Sequence, residues 1–517
     1  MPRFYLTTPI YYVNGDPHLG HAYTSIAADV IARFHRLDGD EVFFLTGTDE
    51  HGQKVEKAAQ AAGLAPQAFA DQVSARFRRM SEVLNISHDD FIRTTEPRHL
   101  RACAELWQRA QANGAIYLGH YEGWYSVRDE AFYGADEIET LADGTRLARE
   151  SRAPVEWVRE PSWFFRLSAY QDKLLAFHEA NPDFLAPTAR RNELLSFLKS
   201  GLTDLSISRA SFRWGVPVPN DPGHVMYVWF DALTNYLTAT GWPDPAAPRA
   251  GFWPADLHLV GKEIARFHAL YWPAFLMAAD LPLPRRVFSH GWWTVEGEKM
   301  SKSAGNGLDP TELVETYGRD ALRYFILREV PFGNDGDFRH EAIVTRMDRE
   351  LANDLGNLAQ RTLSLVARNL NGTRPAPGPR TDDDAALLAQ AASLPAELRG
   401  AIDRQALAEA LEQIWKLIRA ANAYIDHQAP WALKKANPTR MENVLRVLLD
   451  LLHTIGVTLT PFMPDAMAKL LDQLAVPETA RSLAALASPL AGGVILPAPA
   501  GIFPRFAARL DARAPAC

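Results

Sequence analysis

The chain has 517 residues, 47% hydrophobic and 22% charged, a globular balance that excludes general disorder and allows roughly three or four domains. Lys plus Arg number 54 and Asp plus Glu 62, and the resulting net charge of −8 excludes wrapping of nucleic acid by bulk positive charge, though not a local basic groove. Two cysteines, Cys103 and Cys517, can build neither a disulfide framework nor a four-thiolate zinc site. No apolar run reaches membrane-spanning length, and no leader-like segment precedes Phe4-Tyr5-Leu6, so a soluble cytoplasmic protein is expected.

The first sixty residues read as a βαβ unit. Phe4–Thr8 suits a short strand, Asn14-Gly15 and Pro17 a turn, and Leu19 to Leu37 an amphipathic helix, with Ile26, Val30, Ile31 and Phe34 at three- and four-residue steps. Glu41–Leu45 is a buried-strand candidate that ends in a loop at Gly47-Thr48-Asp49. A parallel sheet follows from this pattern, and ligands of such sheets bind at the carboxyl ends of the strands, here residues 9–21 and 47–52. Residues 116–222 are rich in short β-like pieces, aromatics and turns and read as an insertion. The parallel sheet is expected to resume with strands at Val225–Phe230 and Leu257–Val260. From Glu341 the pattern is helical, interrupted by a solvated Pro/Gly/Asp connection over 369–384 and resuming at Ala385.

Two motifs carry chemistry. His18-Leu19-Gly20-His21 stands where the first loop enters the first helix. Unpaired N–H groups at a helix start favour anions, Gly20 permits close approach, and two imidazoles three residues apart share a helical face. On the residues alone this is equally two histidines in an ordinary helix cap. The second motif is Lys299-Met300-Ser301-Lys302-Ser303 followed by Ala304-Gly305-Asn306, a cationic loop whose lysines suit phosphate or, on composition alone, a solvated surface. Asp309-Pro310-Thr311-Glu312 then has the signature of a helix start, with Asp309 as the cap.

HLGH and KMSKS together resemble the paired signatures of class I aminoacyl-tRNA synthetases. The match extends to the methionyl-tRNA synthetase family through Pro9-Ile10-Tyr11-Tyr12-Val13-Asn14-Gly15, Gly47-Thr48-Asp49-Glu50-His51-Gly52, Tyr227-Val228-Trp229-Phe230-Asp231-Ala232 and Val260-Gly261-Lys262-Glu263-Ile264 through His268. The resemblance implies a Rossmann-like parallel-sheet catalytic domain with a mixed α/β insertion, followed by an all-α anticodon-binding bundle. It divides the chain into catalytic halves at 1–115 and 223–295, an insertion at 116–222, a KMSKS and stem-contact region at 296–345 and an anticodon domain at 346–517. It implies activation of L-methionine by ATP with Mg²⁺, then transfer to the 3′ end of tRNA(Met). By the same resemblance His18, His21, Lys299 and Lys302 are catalytic, and Gly20, Glu263 and Ser301 join them around ATP. Ile10, Tyr12, Trp229, Ala232, Tyr236, Ile264 and His268 line the methionine pocket, and Asp49 takes the ammonium. Without the resemblance, 225–236 reads as a core strand and helix, Asp49 as a helix cap and Glu263 as a surface residue. Since a thioether is polarizable and favours aromatic neighbours, a Trp/Tyr-lined pocket suits methionine.

Zinc-containing members carry a cysteine knuckle after a Tyr-Glu-Gly-x-Tyr run. Here Tyr121-Glu122-Gly123-Trp124-Tyr125 is followed by Ser126 and Asp129, so no structural zinc is expected, and Trp124, Tyr125, Phe132 and Tyr133 are expected to hold the insertion by packing. Asn357, Arg361 and Trp431 match the anticodon readers, Asn and Arg by hydrogen bonding and Trp by stacking. On the residues alone, Asn357 and Arg361 are a solvated face and Trp431 is core. The chain ends without an appended dimerising module, so a monomer is expected. A nucleotidylyltransferase sharing the HxGH-type helix start would be much shorter, and a catalytically silent tRNA-binding paralogue would have lost His18, His21, Lys299 or Lys302.

Overall fold

The computed structural model describes residues 1–129, 131–299 and 307–507, with backbone alone at 121, 132, 160, 298 and 299. Its centre is a seven-stranded, all-parallel sheet. From one edge the strands are Leu185–Ala186, Val287–His290, Leu257–Gly261, Arg3–Thr7 and Glu41–Asp49, and both Tyr11–Tyr12 and Asp90–Arg93 pair with Glu41–Asp49. Alternation along the strands sends side chains to two cores. Leu6, Phe44, Leu257 and Leu259 face helix Leu19–Asp38, while Tyr5, Phe43, Leu45 and Val260 face helices Pro97–Ala112 and Trp272–Ala278.

Two expectations are corrected here. Gly47-Thr48-Asp49 is not a loop, because Glu41–Asp49 continues as strand through it. Gly47 serves close approach rather than a turn, since a Cβ there would lie 2.0 Å from the Ile92 carbonyl oxygen of the neighbouring strand. Val225–Phe230 is likewise no strand of the parallel sheet. Asp221–Met226 pairs antiparallel in a separate three-stranded sheet, and Val228–Leu233 is a short helix, so this apolar run divides between a strand end and a buried helix that periodicity alone does not separate from a strand. The β-like stretch after residue 115 forms a four-stranded antiparallel sheet around the long pair Ile116–Ser126 and Glu156–Phe165, but its Leu185–Ala186 is an edge strand of the main sheet.

The carboxyl half is helical, with long helices at Asn357–Asn369, Asp382–Asp403, Leu407–Gln428 and Pro438–Leu459. Its core is continuous with the face of the sheet that carries helix Leu19–Asp38. Arg323, fully buried, joins the halves. It pairs with Asp29 of that helix at 2.7 Å and donates to the carbonyls of Leu84, Pro461 and Phe462 at 3.1, 2.8 and 3.0 Å. Among the described residues no helix is long and apolar enough to cross a membrane.

Candidate active site

At the carboxyl ends of the central strands, helix Leu19–Asp38 begins with its two imidazoles capping each other's backbone. His18 Nδ1 accepts the Gly20 N–H at 3.1 Å, and His21 Nδ1 accepts the His18 N–H at 3.1 Å. Because both Nδ1 atoms are acceptors, each neutral ring carries its proton on Nε2. The rings lie 3.8 Å apart, and Tyr11 and Phe77 meet His21 edge-on at 4.9 and 5.1 Å, which fixes its plane. Gly20 has a local reason as well, since a Cβ there would come within 2.9 Å of the His18 ring. The ordinary-cap reading and the anion-site reading are thus one geometry, a helix N-terminus with two oriented Nε2–H groups.

Lys299 enters a short strand paired antiparallel with Trp293–Val295, whereas Ser301 and Lys302 lie outside the described residues. The exit of this loop is stapled to the histidine helix, for the Leu19 N–H donates to the Leu308 carbonyl at 3.1 Å. Asp309 then caps helix Pro310–Tyr317 by accepting the Thr311 N–H at 2.7 Å, as its sequence requires.

Tyr236, Ile264 and His268 interlock. His268 Nδ1 donates to the Ile264 carbonyl at 3.0 Å, so its Nε2 accepts the Tyr236 hydroxyl at 2.6 Å. Burial pushes the His268 pKa down to about 4, which keeps the ring neutral at pH 7. Trp229 stacks on Phe267 at 3.8 Å and stands edge-on to His268 at 6.2 Å. Ala232 is buried in the same helix as Trp229, and Ile10 and Tyr12 are half-buried, Tyr12 in the short strand Tyr11–Tyr12. Asp49 stands in register with Tyr12, and its charge helps to raise the Tyr236 pKa, behind the larger effect of burial. Glu263 is exposed at the end of strand Leu257–Gly261 and accepts the Trp292 indole N–H at 2.6 Å. Beside it Lys262 pairs with Asp335 at 2.7 Å.

Sequence reasoning missed Phe267, Trp292 and Asp335, which hold Trp229, Glu263 and Lys262. Only the strand-end position of Trp292 and the sequence proximity of Phe267 to His268 could have pointed to them. Where zinc knuckles carry cysteines, Asp129 instead accepts the hydroxyls of Ser151 and Tyr133, the latter at 2.7 Å, and its own N–H meets Ser126 Oγ at 3.3 Å. Trp124 packs edge-on against Trp157 at 5.1 Å and Tyr125 is buried, while the Phe132 side chain lies outside the described residues.

In the helical half, Arg361 lies over the Trp431 ring at 5.5 Å and pairs with Asp426 at 2.5 Å. Asn357 is exposed one turn earlier on the same helix. Trp431 is 50% exposed, which excludes a core role for it.

Residues 4–363 match the family described as tRNA synthetases class I (M), and residues 374–509 match the anticodon binding domain of methionyl tRNA ligase. The chain is 57% identical over 505 residues to the methionine–tRNA ligase of Brucella suis, with 98% of each covered. It is 55% identical over 511 residues to that of Mycobacterium bovis, covering 98% of each. A solved structure of Mycobacterium tuberculosis methionyl-tRNA synthetase in complex with methionyl-adenylate superposes with a TM-score of 0.96 at 55% identity, over 98% of this chain and 100% of that one.

Proposed function

The chain belongs to the methionyl-tRNA synthetase family of class I, and on that premise we propose a role for each part of its site. It is a methionine–tRNA ligase, which forms methionyl-adenylate from methionine and ATP and passes the methionyl group to a tRNA. The observation that carries the assignment of parts is the neutral His268–Tyr236 pair beside Trp229, next to Asp49. A pocket with no charge at its apolar end and a carboxylate at its mouth suits a thioether side chain on an α-ammonium.

Ile10, Tyr12, Trp229, Ala232, Tyr236, Ile264 and His268 surround the side chain, and Asp49 takes the ammonium. ATP is used as its Mg²⁺ complex. The Nε2–H groups of His18 and His21 meet its phosphates at the helix start, with Gly20 leaving room, while Glu263 faces the ribose. Methionine's carboxylate attacks the α-phosphorus, the bond to the bridging oxygen breaks, and pyrophosphate leaves with that electron pair. Since the nucleophile is already ionised, no covalent enzyme intermediate is needed, and catalysis rests on positioning and on stabilising phosphate charge. Lys299, Ser301 and Lys302 supply further positive and hydrogen-bonding groups for that charge.

Residues 1–115 and 223–295 form the catalytic halves, 116–222 the insertion, 296–345 the loop and stem-contact region and 346–517 the RNA-reading domain, where Asn357, Arg361 and Trp431 meet the anticodon of tRNA(Met). The protein works as a cytoplasmic monomer. ATP–pyrophosphate exchange with a panel of amino acids tests the substrate: methionine is expected to drive exchange, and exchange driven by leucine or cysteine but not methionine would refute the pocket.

A further inference from the structure

We propose that Asp231 is a positioning residue for methionine, tying the pocket wall to the strand end that takes the ammonium through two imidazoles. The inference rests on the reading of Trp229, Ala232, Tyr236 and Asp49 as the methionine half-site. Asp231 sits in helix Val228–Leu233, two residues after Trp229 and one before Ala232, and is fully buried. Its Oδ2 lies 2.7 Å from His51 Nδ1 and its Oδ1 2.7 Å from His99 Nε2.

These partners come from different parts of the fold. His51 follows Asp49 by two residues. Trp214 clamps the same strand end, with its ring edge-on to His51 at 5.4 Å, its indole N–H donating to the Glu50 carbonyl at 2.5 Å and its carbonyl accepting the Gly52 N–H at 2.9 Å. His99 lies buried in helix Pro97–Ala112. Its Nδ1 is 3.1 Å from Thr238 Oγ1, in the short helix that also carries Tyr236. One carboxylate therefore joins the Asp49 strand end, the Trp229–Ala232 helix and, through His99, the Tyr236 helix.

A carboxylate cut off from water persists ionised only where donors saturate it. Opposing its burial, the two imidazoles hold the Asp231 carboxyl down at about 2. Ionised, it accepts from both rings at once, and charge-assisted bonds of this kind are short and directional. Cys103 Sγ lies 3.2 Å from His99 Nε2, so His99, Cys103 and Asp231 also group three metal-ligand types. The 2.7 Å between His99 Nε2 and Asp231 Oδ1 favours a hydrogen bond instead, because two ligands on a tetrahedral ion with bonds near 2.0 Å stand about 3.3 Å apart.

Methionine needs the wall and Asp49 in one geometry simultaneously. ATP, held at the histidine helix and the lysine loop, does not depend on that wall. Asp231→Asn keeps the shape but turns an N–H₂ toward one of the two ring donors, so the wall and the strand end lose their common anchor. In ATP–pyrophosphate exchange on the full chain, D231N is expected to raise the KM for methionine by at least about tenfold, while the KM for ATP stays within about twofold. His99→Gln is expected to raise the methionine KM less, and D231N/H99Q to be no worse than D231N, because both remove one anchor. Active-site titration counts the folded fraction, on which KM does not depend. A loss of kcat or of active fraction with both KM values unchanged, or an equal rise in both, would overturn the proposal as a merely structural effect. Trp229→Ala separates the two readings. If W229A raises the methionine KM and D231N does not, the anchor alone is wrong; if W229A leaves it unchanged, the pocket reading fails and the anchor with it.

Discussion

Replacing Trp431 by alanine tests the anticodon role proposed for it, because RNA recognition and catalysis should then respond differently. The ring is half exposed and carries the Arg361 guanidinium at 5.5 Å, so it offers a face that is pre-oriented and open to a base. Stacking of one base on an aromatic side chain contributes roughly 1–3 kcal/mol. Its loss should lower the efficiency of tRNA charging about 5- to 150-fold at 25 °C. The cost to the fold is bounded separately. A fully buried tryptophan covers up to about 250 Å², so a half-buried one covers about 125 Å², or about 3 kcal/mol at 25 cal/mol per Å² as an upper bound. The cation–π contact adds about 0.5–1 kcal/mol. A loss of that size lowers the melting temperature by a few degrees and leaves the protein folded in an assay at 25 °C. ATP–pyrophosphate exchange needs no tRNA and should stay near wild type in the same preparation. Equal losses in exchange and charging would refute the reasoning, because they would mean that the truncation damages the whole molecule.

On the role proposed for Lys302, Lys302→Ala should slow adenylate formation on the order of 100-fold, more than it weakens methionine binding; unchanged turnover in single-turnover measurements would refute that role. Arg323→Met removes one partner of a fully buried ion pair and should cost about 3 kcal/mol in urea unfolding. That is the lower end of the usual range because Asp29 keeps Arg33 at 2.7 Å and Ser87, and a loss below about 1 kcal/mol would contradict the joint described for the two halves. Burial, with Asp465 nearby, raises the Asp320 pKa to about 6. A raised carboxyl pKa favours the folded state below the unfolded value near 3.9, and that contribution is lost as pH rises through about 6. Asp320→Asn should therefore gain stability relative to wild type between pH 5 and pH 8, by roughly 1.4 kcal/mol, and a constant difference across that range would refute the shift.

How much of this was legible depends on the kind of signal. The βαβ opening, the helix from Leu19 and the cap at Asp309 were readable because periodicity and capping act over a few residues, and the structure has all three. Strand Val225–Phe230 failed because a six-residue apolar run has no period long enough to separate helix from strand, and its burial comes from neighbours far along the chain. Gly47 misled for a related reason. Glycine marks turns, but here the requirement is the Ile92 backbone, 45 residues away in sequence. The pocket residues were reached through family resemblance. The contacts around those residues, Phe267 on Trp229, Trp292 on Glu263 and the imidazoles on Asp231, were not, because a stacking partner or a buried carboxylate carries no local pattern.

The same distinction explains how segments so distant in sequence act at one place. The histidine motif and the lysine motif are separated by most of the catalytic domain, yet a single backbone bond from Leu19 to Leu308 joins the start of one to the exit of the other. That bond uses an N–H which a helix start leaves without an intrahelical partner, so the feature that suits the helix to phosphate also anchors the loop. Ten residues further along the same helix, about 15 Å at 1.5 Å per residue, Asp29 meets Arg323. Arg323 in turn donates three further N–H groups to the carbonyls of Leu84, Pro461 and Phe462. One helix is thus bound at its start, beside the histidine motif, to the exit of the lysine loop and at its middle to the helical half. A buried guanidinium with every such contact directional cannot slide without leaving carbonyls unpaired, so the orientation of the RNA-reading helices relative to the catalytic sheet is set by packing and hydrogen bonding rather than by a linker.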